Sequence, residues 1–289
     1  MQGTGAIVTA AVISGMKVTG TSFADQRLVV YGAGTAGTGM ADQIHAGMVR
    51  DGLSETEARS RIWLIDRGGL VTDDMPDLPD YQQVYARPAA DVADWERGAR
   101  GIGLLEVVRR VRPTILIGTS TDHGAFTQDV IEALCVGADR PIVLPLSNPT
   151  ERIEVMPADV IAWSGGRALV AAGIPVEDVE HDGVTYTIGQ GNNALLYPGL
   201  GLGAVVSGAR EITDGMLLAA AEAVASQVDP LPRGAALLPP VRDLRASSAI
   251  VAEAVARCAE TEGVVSRTHD DLARAIKDAM WEPVYGSWE

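Results

Sequence analysis

Short apolar runs alternate with helical patterns over the first two-thirds of the chain. Each run holds four or five mostly β-branched or aliphatic residues, which is typical of strands covered on both faces. The predicted strands are 27–31, 62–65, 114–117, 142–146 and 168–172, and the helices between them are 35–50, a short one after the capping box Ser54–Glu57, 104–111 and 127–136. Such alternation predicts an α/β fold with a doubly wound parallel sheet.

The pattern changes twice along the chain. Residues 71–88 mix acids with prolines, which predicts an exposed loop. After about Gly189 the strand pattern stops, and from Tyr197 onward the sequence predicts helices rich in Ala, Leu and Val, notably 213–228 and 246–260. We therefore expect a sheet domain over residues 1–189 and, over 190–289, a helical C-terminal segment that belongs to a second domain.

Composition and charge exclude several classes of protein. The chain has 289 residues, 47% of them hydrophobic, and a net charge of -15, which opposes binding to nucleic acid. Its most apolar stretch, 194–209, is shorter than the ~18 residues of a membrane span and contains Pro198. The N-terminus has no basic segment typical of a signal peptide. We expect a cytoplasmic protein with no nucleic-acid or membrane partner.

The strongest motif is the glycine-rich loop at 32–37, Gly32-Ala33-Gly34-Thr35-Ala36-Gly37, between the first strand and its helix. Gly32 permits a tight turn, Gly34 lets the backbone approach a pyrophosphate, and Gly37 or Gly39 lets the helix pack closely on the sheet. The amides at the helix start then offer an anion a partial positive charge. The motif therefore predicts a Rossmann-like, dinucleotide-binding sheet, although a tight turn is the simpler alternative.

The residues after the second strand bear on the choice of dinucleotide. Asp66 could accept hydrogen bonds from the adenosine ribose and repel a 2′-phosphate, which favours NAD over NADP. Arg67 could instead attract that phosphate, so NADP stays open.

Small or polar residues also follow the third and fourth strands. Thr119 and Ser120 come after the third strand, and Asn148 comes after the fourth. Open α/β sheets bind ligands at the carboxyl ends of their strands, so we expect these residues at a ligand site. Taken alone, the Asn-Pro pair is better explained by an ordinary turn, and His123, in the loop after the third strand, is a weaker candidate for the ligand site.

Asn192 and Asn193 precede the apolar helical stretch. They could orient a polar substrate between the sheet and the helices, or Asn193 could cap a helix. The four histidines lack metal-ligand spacing, and the two cysteines, Cys135 and Cys258, do not indicate a disulfide framework or a zinc site. We predict no metal ligand in this chain.

Taken together, these segments resemble the malic enzymes, and most of all their bacterial NAD-preferring branch. The resemblance runs nearly the whole chain and rests on an ordered set of motifs: QGT at 2–4, GAGTAG at 32–37, IWLIDR at 62–67, ILIGTS at 115–120, PLSNPT at 145–150, GQGNNALLYPGLGLG at 189–203 and ITDGML at 212–217.

The resemblance implies a reaction and a role in it for particular residues of this chain. Malic enzymes oxidise L-malate with NAD or NADP and decarboxylate the product to pyruvate, using Mg²⁺ or Mn²⁺, which requires a base, an acid and a cation. It further implies that Gly32, Gly34, Gly37 and Asp66 hold the dinucleotide, that Asn148 contacts nicotinamide and malate, and that Asn192 and Asn193 line the malate pocket.

In this family the catalytic Tyr and Lys and the metal ligands lie upstream of the Gln-Gly-Thr motif, which begins here at Gln2. The resemblance therefore implies that no catalytic residue lies in this chain, that the chain alone is inactive, that its C-terminal helices pack on a substrate domain outside it, and that the complete enzyme is a homo-oligomer. Two alternatives stay open: a stand-alone dinucleotide-binding or regulatory module, and another Rossmann dehydrogenase acting on hydroxy or amino acids.

Overall fold

The computed structural model describes residues 2–281, and within that range seven strands form one sheet. They are β1 (Leu28–Tyr31), β2 (Ile62–Asp66), β3 (Gly69–Leu70), β4 (Ile115–Gly118), β5 (Ile142–Pro145), β6 (Leu169–Ala172) and β9 (Gly189–Gln190); β7 (Val179–His181) and β8 (Val184–Tyr186) form a separate hairpin. The five predicted strands are confirmed as β1, β2, β4, β5 and β6, with ends that differ by a residue or less.

The helices of the same range fill the intervals between strands and then follow β9. They are α1 (Gln2–Thr19), α2 (Thr35–Arg50), α3 (Glu55–Ser60), α4 (Asp80–Gln83), α5 (Leu104–Val111), α6 (Gln128–Gly137), α7 (Pro157–Trp163), α8 (Tyr197–Ser207), α9 (Asp214–Ala225), α10 (Leu244–Thr261) and α11 (Leu272–Ala279). The predicted capping box is present at α3, where Ser54 accepts the Glu57 amide and Glu57 accepts the Ser54 amide.

The strand order in the sheet is β3-β2-β1-β4-β5-β6-β9, and all neighbouring pairs are parallel except β2 with β3. The chain runs from β1 outward to β2 and then returns to β4 on the other side of β1. This reversal is a topological switch point, where doubly wound sheets have a crevice beyond the strand ends. The predicted doubly wound α/β fold is confirmed, and its crevice lies between the ends of β1 and β4.

Two hydrophobic cores cover the two faces of the sheet. Alternate strand residues face opposite sides, so Val30 packs with α1, α2 and α9, whereas Val29 packs with α5, α6 and α7. Burial on both faces explains the unbroken apolar strands of the sequence.

The C-terminal helices join the first of these cores. Helix α10 packs on α8 and α9, and α9 packs on α1. The α8–α10 contact is close because α8 carries glycines there: a Cβ on Gly199 would lie 2.5 Å from Val251 Cβ, and one on Gly203 would lie 2.9 Å from Val255 Cβ. Residues after β9 therefore share a core with the first helix of the chain.

The expectation of an exposed loop at 71–88 is wrong for some of its apolar and amide positions. The aspartates are exposed, but Val71, Gln82 and Tyr85 are buried. Arg87 lies over the Trp63 ring, 4.1 Å from its centroid, and its guanidinium donates to the Ser60 carbonyl oxygen at 2.9 Å. The content of acids and prolines therefore predicted the exposure of the middle of this segment correctly, whereas the two ends of the segment pack on the sheet.

Three short pairings were not predicted from the sequence, namely β3, the β7–β8 hairpin and β9. Two- and three-residue strands carry too few alternating positions to give a periodic signal. In the described part of the chain, no helix has the length and apolar character needed to cross a membrane.

Candidate functional site

The glycine-rich loop connects β1 to α2 at the crevice, and backbone packing fixes its shape. Gly32 has φ +107°, and a Cβ on it would lie 2.5 Å from the Ser120 nitrogen. A Cβ on Gly37 would lie 2.8 Å from Thr119 Oγ1 and would overlap the Gly32 carbonyl oxygen. Glycine is therefore required at both positions, and Gly37 rather than Gly39 provides the close packing, since a Cβ on Gly39 would meet open space.

Gly34 differs from these two glycines because a Cβ there would also meet open space. It is the N-cap residue of α2, and it is exposed, as is Thr35. The helix therefore presents its first amides toward open space, which is the arrangement that binds anions at helix N-termini. Ala33 is buried, and Ala36 is half-buried in the first turn.

Hydrogen bonds tie this loop to both neighbouring strands. The Gly32 amide donates to the Ile65 carbonyl oxygen at 2.8 Å, and Thr119 Oγ1 donates to the Gly32 carbonyl oxygen at 2.7 Å. Thr119 therefore orients the loop through its hydroxyl, a role that its place after an apolar strand did not reveal.

Asp66 ends β2 beside the glycine-rich loop, and a residue that the sequence did not single out fixes its carboxylate. The Gln82 side-chain amide donates to Asp66 Oδ2 at 2.8 Å and to the Ala33 carbonyl oxygen at 2.7 Å. Gln82 is buried and comes from α4, inside the segment expected to be an exposed loop. No local pattern marked it, because its two partners lie 16 and 49 residues away.

Arg67, the competing candidate for contact with a dinucleotide phosphate, is exposed. Its backbone amide donates to Asp66 Oδ1 at 2.9 Å. Both oxygens of the Asp66 carboxylate therefore already accept a hydrogen bond from the protein, while Asp66 itself stays half-buried.

A buried carboxylate, Glu154, joins the segments that follow β4 and β5. Its Oε1 accepts hydrogen bonds from the Ser120 amide at 2.8 Å, from Ser120 Oγ at 2.9 Å and from Ser147 Oγ at 2.5 Å. Its Oε2 accepts the Ser147 amide at 3.3 Å. Glu154 was not predicted as a site residue, although a lone acid between Ile153 and Val155 is a signal for a buried polar contact.

Tyr31, the last residue of β1, also faces this edge. Its hydroxyl donates to Asp122 Oδ2 at 2.7 Å. Burial, followed by the hydrogen bond to Asp122, raises the pKa of Tyr31 to about 12. The phenol therefore stays protonated and remains a donor to Asp122 well above neutral pH.

Asn148 and His123 lie at the same edge as exposed residues. Asn148 follows the buried Ser147 and precedes Pro149, to which it is joined by a cis peptide bond. His123 lies in the loop after β4. The exposed Asn148 side chain is available to a ligand at the end of β5.

The two asparagines after β9 have different surroundings. Asn192 Oδ1 accepts the Ala194 amide at 2.9 Å and caps the 3₁₀ turn Asn193–Leu195, so Asn192, rather than Asn193, is the cap. Asn193 Nδ2 donates to Thr4 Oγ1 of α1 at 3.1 Å. Asn193 Oδ1 is buried and has no hydrogen-bond partner among the residues that the structure describes.

The fold brings the predicted site residues to one edge of the sheet. The register pairs Tyr31 with Gly118 and Gly118 with Pro145, so β1, β4 and β5 end side by side. The Gly191 amide bonds to the Ala172 carbonyl oxygen at 2.8 Å, which brings the two asparagines to the same edge. Within residues 2–281, no group of three or more His, Cys, Asp or Glu residues could hold a metal ion.

These features fit a dinucleotide. A tight turn held by Gly32, open space at Gly34, a helix start with available amides and a carboxylate on the adjacent strand are the elements that a pyrophosphate and a ribose need. The unpartnered oxygen of Asn193 is a further polar group that a ligand could satisfy.

Known proteins share both the sequence and the fold. Residues 1–260 match the family model described as malic enzyme, NAD binding domain. A Mycobacterium tuberculosis protein whose name refers to an NAD-linked malate oxidoreductase is 55% identical over 99% of this chain and 52% of its own length. The NAD-dependent malic enzyme 3 of Bacillus subtilis (strain 168) is 51% identical over 99% of this chain and 51% of its own length.

The crystal structure of malic enzyme from Pyrococcus horikoshii Ot3 superposes with a TM-score of 0.72 at 26% identity, covering 96% of this chain and 58% of that one. The chain spans about half the length of the curated relatives it matches. By the family match over residues 1–260, this chain belongs to the malic enzymes and comprises their NAD-binding domain.

Proposed function

We propose that this chain holds NAD for the oxidative decarboxylation of L-malate to pyruvate and CO₂. The observation that carries this proposal is the glycine-rich loop at the switch point, with Asp66 beside it on the adjacent strand. NAD is the cofactor because the Asp66 carboxylate favours a free ribose hydroxyl and repels a 2′-phosphate.

Each half of the dinucleotide is assigned to one half of the sheet. Asp66, with Arg67 next to it, contacts the adenosine ribose, and the Gly32–Gly37 backbone with the first amides of α2 holds the pyrophosphate. Thr119, Ser120 and Asn148 border the nicotinamide. When bound, the nicotinamide accepts the hydride that leaves malate.

Malate is assigned to Asn148, Asn192 and Asn193. The unpartnered Oδ1 of Asn193 supports this placement, because a buried acceptor is stabilised by a donor such as the malate hydroxyl. These residues bind and orient the substrate. We place the acid, the base and the ligands of Mg²⁺ or Mn²⁺ outside this chain.

The proposed assembly follows from placing the catalytic groups and the metal ligands outside this chain. The C-terminal segment 190–289, of which residues 282–289 lie outside the described part of the chain, packs on the substrate domain of a cytoplasmic homo-oligomer. The relatives, about twice as long as this chain, are consistent with a further domain.

Calorimetry of the 289-residue chain with NADH and NADPH tests the cofactor. NADH should bind about tenfold or more tightly than NADPH, since a 2′-phosphate beside Asp66 costs at least ~1.4 kcal/mol. Tighter binding of NADPH would refute the Asp66 argument, and binding of neither would refute the proposed function.

A second measurement tests the placement of the catalytic groups. The chain incubated with malate, NAD and Mn²⁺ should form no NADH above background, because the proton-transfer groups and metal ligands are assigned elsewhere. Clear turnover would overturn that assignment.

A further inference from the structure

We infer that Glu154 is a positioning residue, which locks the segments after β4 and β5 into the spacing that receives the nicotinamide half of the dinucleotide. Glu154, Ser120 and Ser147 together form the Glu154 clamp. The inference rests on the proposed NAD site, and it assigns a role to a residue that contacts neither the cofactor nor the substrate in that proposal.

The hydrogen-bond donors to the Glu154 carboxyl group are all neutral. Glu154 is fully buried, at 0% exposure. Its donors are two hydroxyls and two backbone amides. A buried carboxyl group is costly unless its hydrogen bonds are kept, so the two serines are held firmly against it.

The two serine hydroxyls relay this contact to the loop after β4. Ser120 Oγ accepts the Asp122 amide at 3.0 Å, and Ser147 Oγ accepts the Thr121 amide at 2.9 Å. A hydroxyl has one proton, and in this geometry each serine proton points to Glu154. The clamp therefore fixes the loop after β4 through two backbone amides in addition to the serines.

The end of β4 leaves room for the Glu154 side chain. A Cβ on Gly118, the last residue of β4, would lie 2.6 Å from Glu154 Cδ. Glycine at this position is explained by Glu154, since Gly118 has neither a positive φ nor a place in the glycine-rich loop. Gly118 and Glu154 form one packing unit at the ends of β4 and β5.

The clamp lies directly beside the proposed nicotinamide site. Ser120 follows β4 by two residues, and Ser147 follows β5 by two residues and directly precedes Asn148. The glycine-rich loop borders this unit, because a Cβ on Gly32 would meet the backbone of the segment after β4. Loss of the clamp should therefore displace Asn148 and Ser120 while it leaves Asp66 in place.

The test compares two ligands in the 289-residue chain and its variants. Glu154→Gln keeps the shape but turns an NH₂ group toward one of its donors, and Glu151→Gln is the matched control, an exposed glutamate in the same segment. We expect Glu154→Gln to weaken NADH binding about tenfold and ADP-ribose binding by less than about twofold. Glu151→Gln should change neither.

The effect of the clamp on the loop after β4 can also be measured without any ligand, by hydrogen exchange of its backbone amides. Hydrogen exchange at the Thr121 and Asp122 amides should accelerate at least about tenfold in Glu154→Gln, with β1 and β2 unchanged. Equal weakening of NADH and ADP-ribose, or unchanged exchange at these two amides, would overturn the inference. If the unmodified chain binds neither ligand, the NAD proposal fails, and amide exchange alone decides whether the clamp exists.

Two further variants test the inference in case the Glu154→Gln variant does not fold. Ser147→Ala removes one donor and leaves the carboxylate in place, and Gly118→Ala displaces the carboxylate without changing its chemistry. In both variants, NADH binding should weaken about tenfold while ADP-ribose binding changes by less than about twofold. Selective loss in neither variant would refute the positioning role.

Discussion

The two halves of the crevice are built differently. On the β1–β2 side, glycines let main-chain atoms pack directly against each other, as at Gly32 and Gly37. On the β4–β5 side, the buried side chain of Glu154 holds two serines. The glycine-rich loop of the first half therefore depends on the absence of side chains at two positions, whereas the strand ends of the second half are joined by the hydrogen bonds of a buried polar side chain.

This difference separates how each half should fail. Added volume at a main-chain contact forces the backbone to move, whereas a lost hydrogen-bond partner leaves the backbone free to fluctuate. Variants at the packing glycines, Gly32 and Gly37, should therefore affect stability and all dinucleotide binding together. Those on the β4–β5 side should separate the two halves of the ligand, as the Glu154→Gln experiment measures.

The largest effect is expected at Gly37. Gly37→Ala places a Cβ against the Gly32 carbonyl oxygen and Thr119 Oγ1, and it should lower the free energy of unfolding by about 1–3 kcal/mol. NADH and ADP-ribose binding should fall together by about tenfold or more, because the loop that holds the pyrophosphate is displaced. Denaturant unfolding and calorimetry measure the two quantities.

Gly34→Ala is the matched control for this loss of stability. Its Cβ meets open space, so the free energy of unfolding should change by less than about 0.5 kcal/mol while dinucleotide binding weakens. Equal destabilisation by both substitutions would contradict the distinction between packing and ligand-facing glycines.

An intermediate effect is expected at Gln82. Gln82→Leu removes the hydrogen bonds to Asp66 Oδ2 and the Ala33 carbonyl oxygen, and it should destabilise the chain by about 1–2 kcal/mol. ADP-ribose binding should weaken several-fold because Asp66 is no longer oriented. Gln83→Leu changes the exposed neighbouring glutamine and should leave ADP-ribose binding unaltered; a similar loss in both variants would remove the special role of Gln82.

The smallest effect is expected at Tyr31 and appears only at alkaline pH. The phenol of the unfolded chain ionises near its ordinary pKa of 10.0, whereas the folded phenol has its pKa raised to about 12. The native state then binds more protons, so this contribution to stability is complete below pH 10 and is lost as pH rises toward 12.

Unfolding measured across this alkaline range should show a smaller loss of stability in Tyr31→Phe than in the unmodified chain. Tyr81→Phe, which removes an exposed hydroxyl, is the comparison. An identical alkaline loss in the Tyr31→Phe variant and the unmodified chain would show that burial against Asp122 does not control this titration.

How much of the site could be predicted depends on how local its contacts are. The glycine-rich loop is contiguous, and its glycines between a strand and a helix are a recognisable pattern. Gln82 and Glu154 contact residues as far as 49 and 34 positions away, and neither belongs to a pattern that marks such a partner. Residues 71–88 show the same limit, because an acidic, proline-containing composition does not reveal that Gln82 and Tyr85 are buried.

Neighbouring residues and runs of motifs were enough to establish strands β1, β2, β4, β5 and β6, helices α2, α3, α5 and α6 between them, the glycine-rich loop and the family. The folded arrangement was needed to learn which glycines are packing positions, which asparagine caps the turn after β9, and how Gln82 and Glu154 hold the two halves of the crevice. The physical reason is that hydrogen bonds and close contacts between distant segments exist only after the sheet has aligned its strand ends.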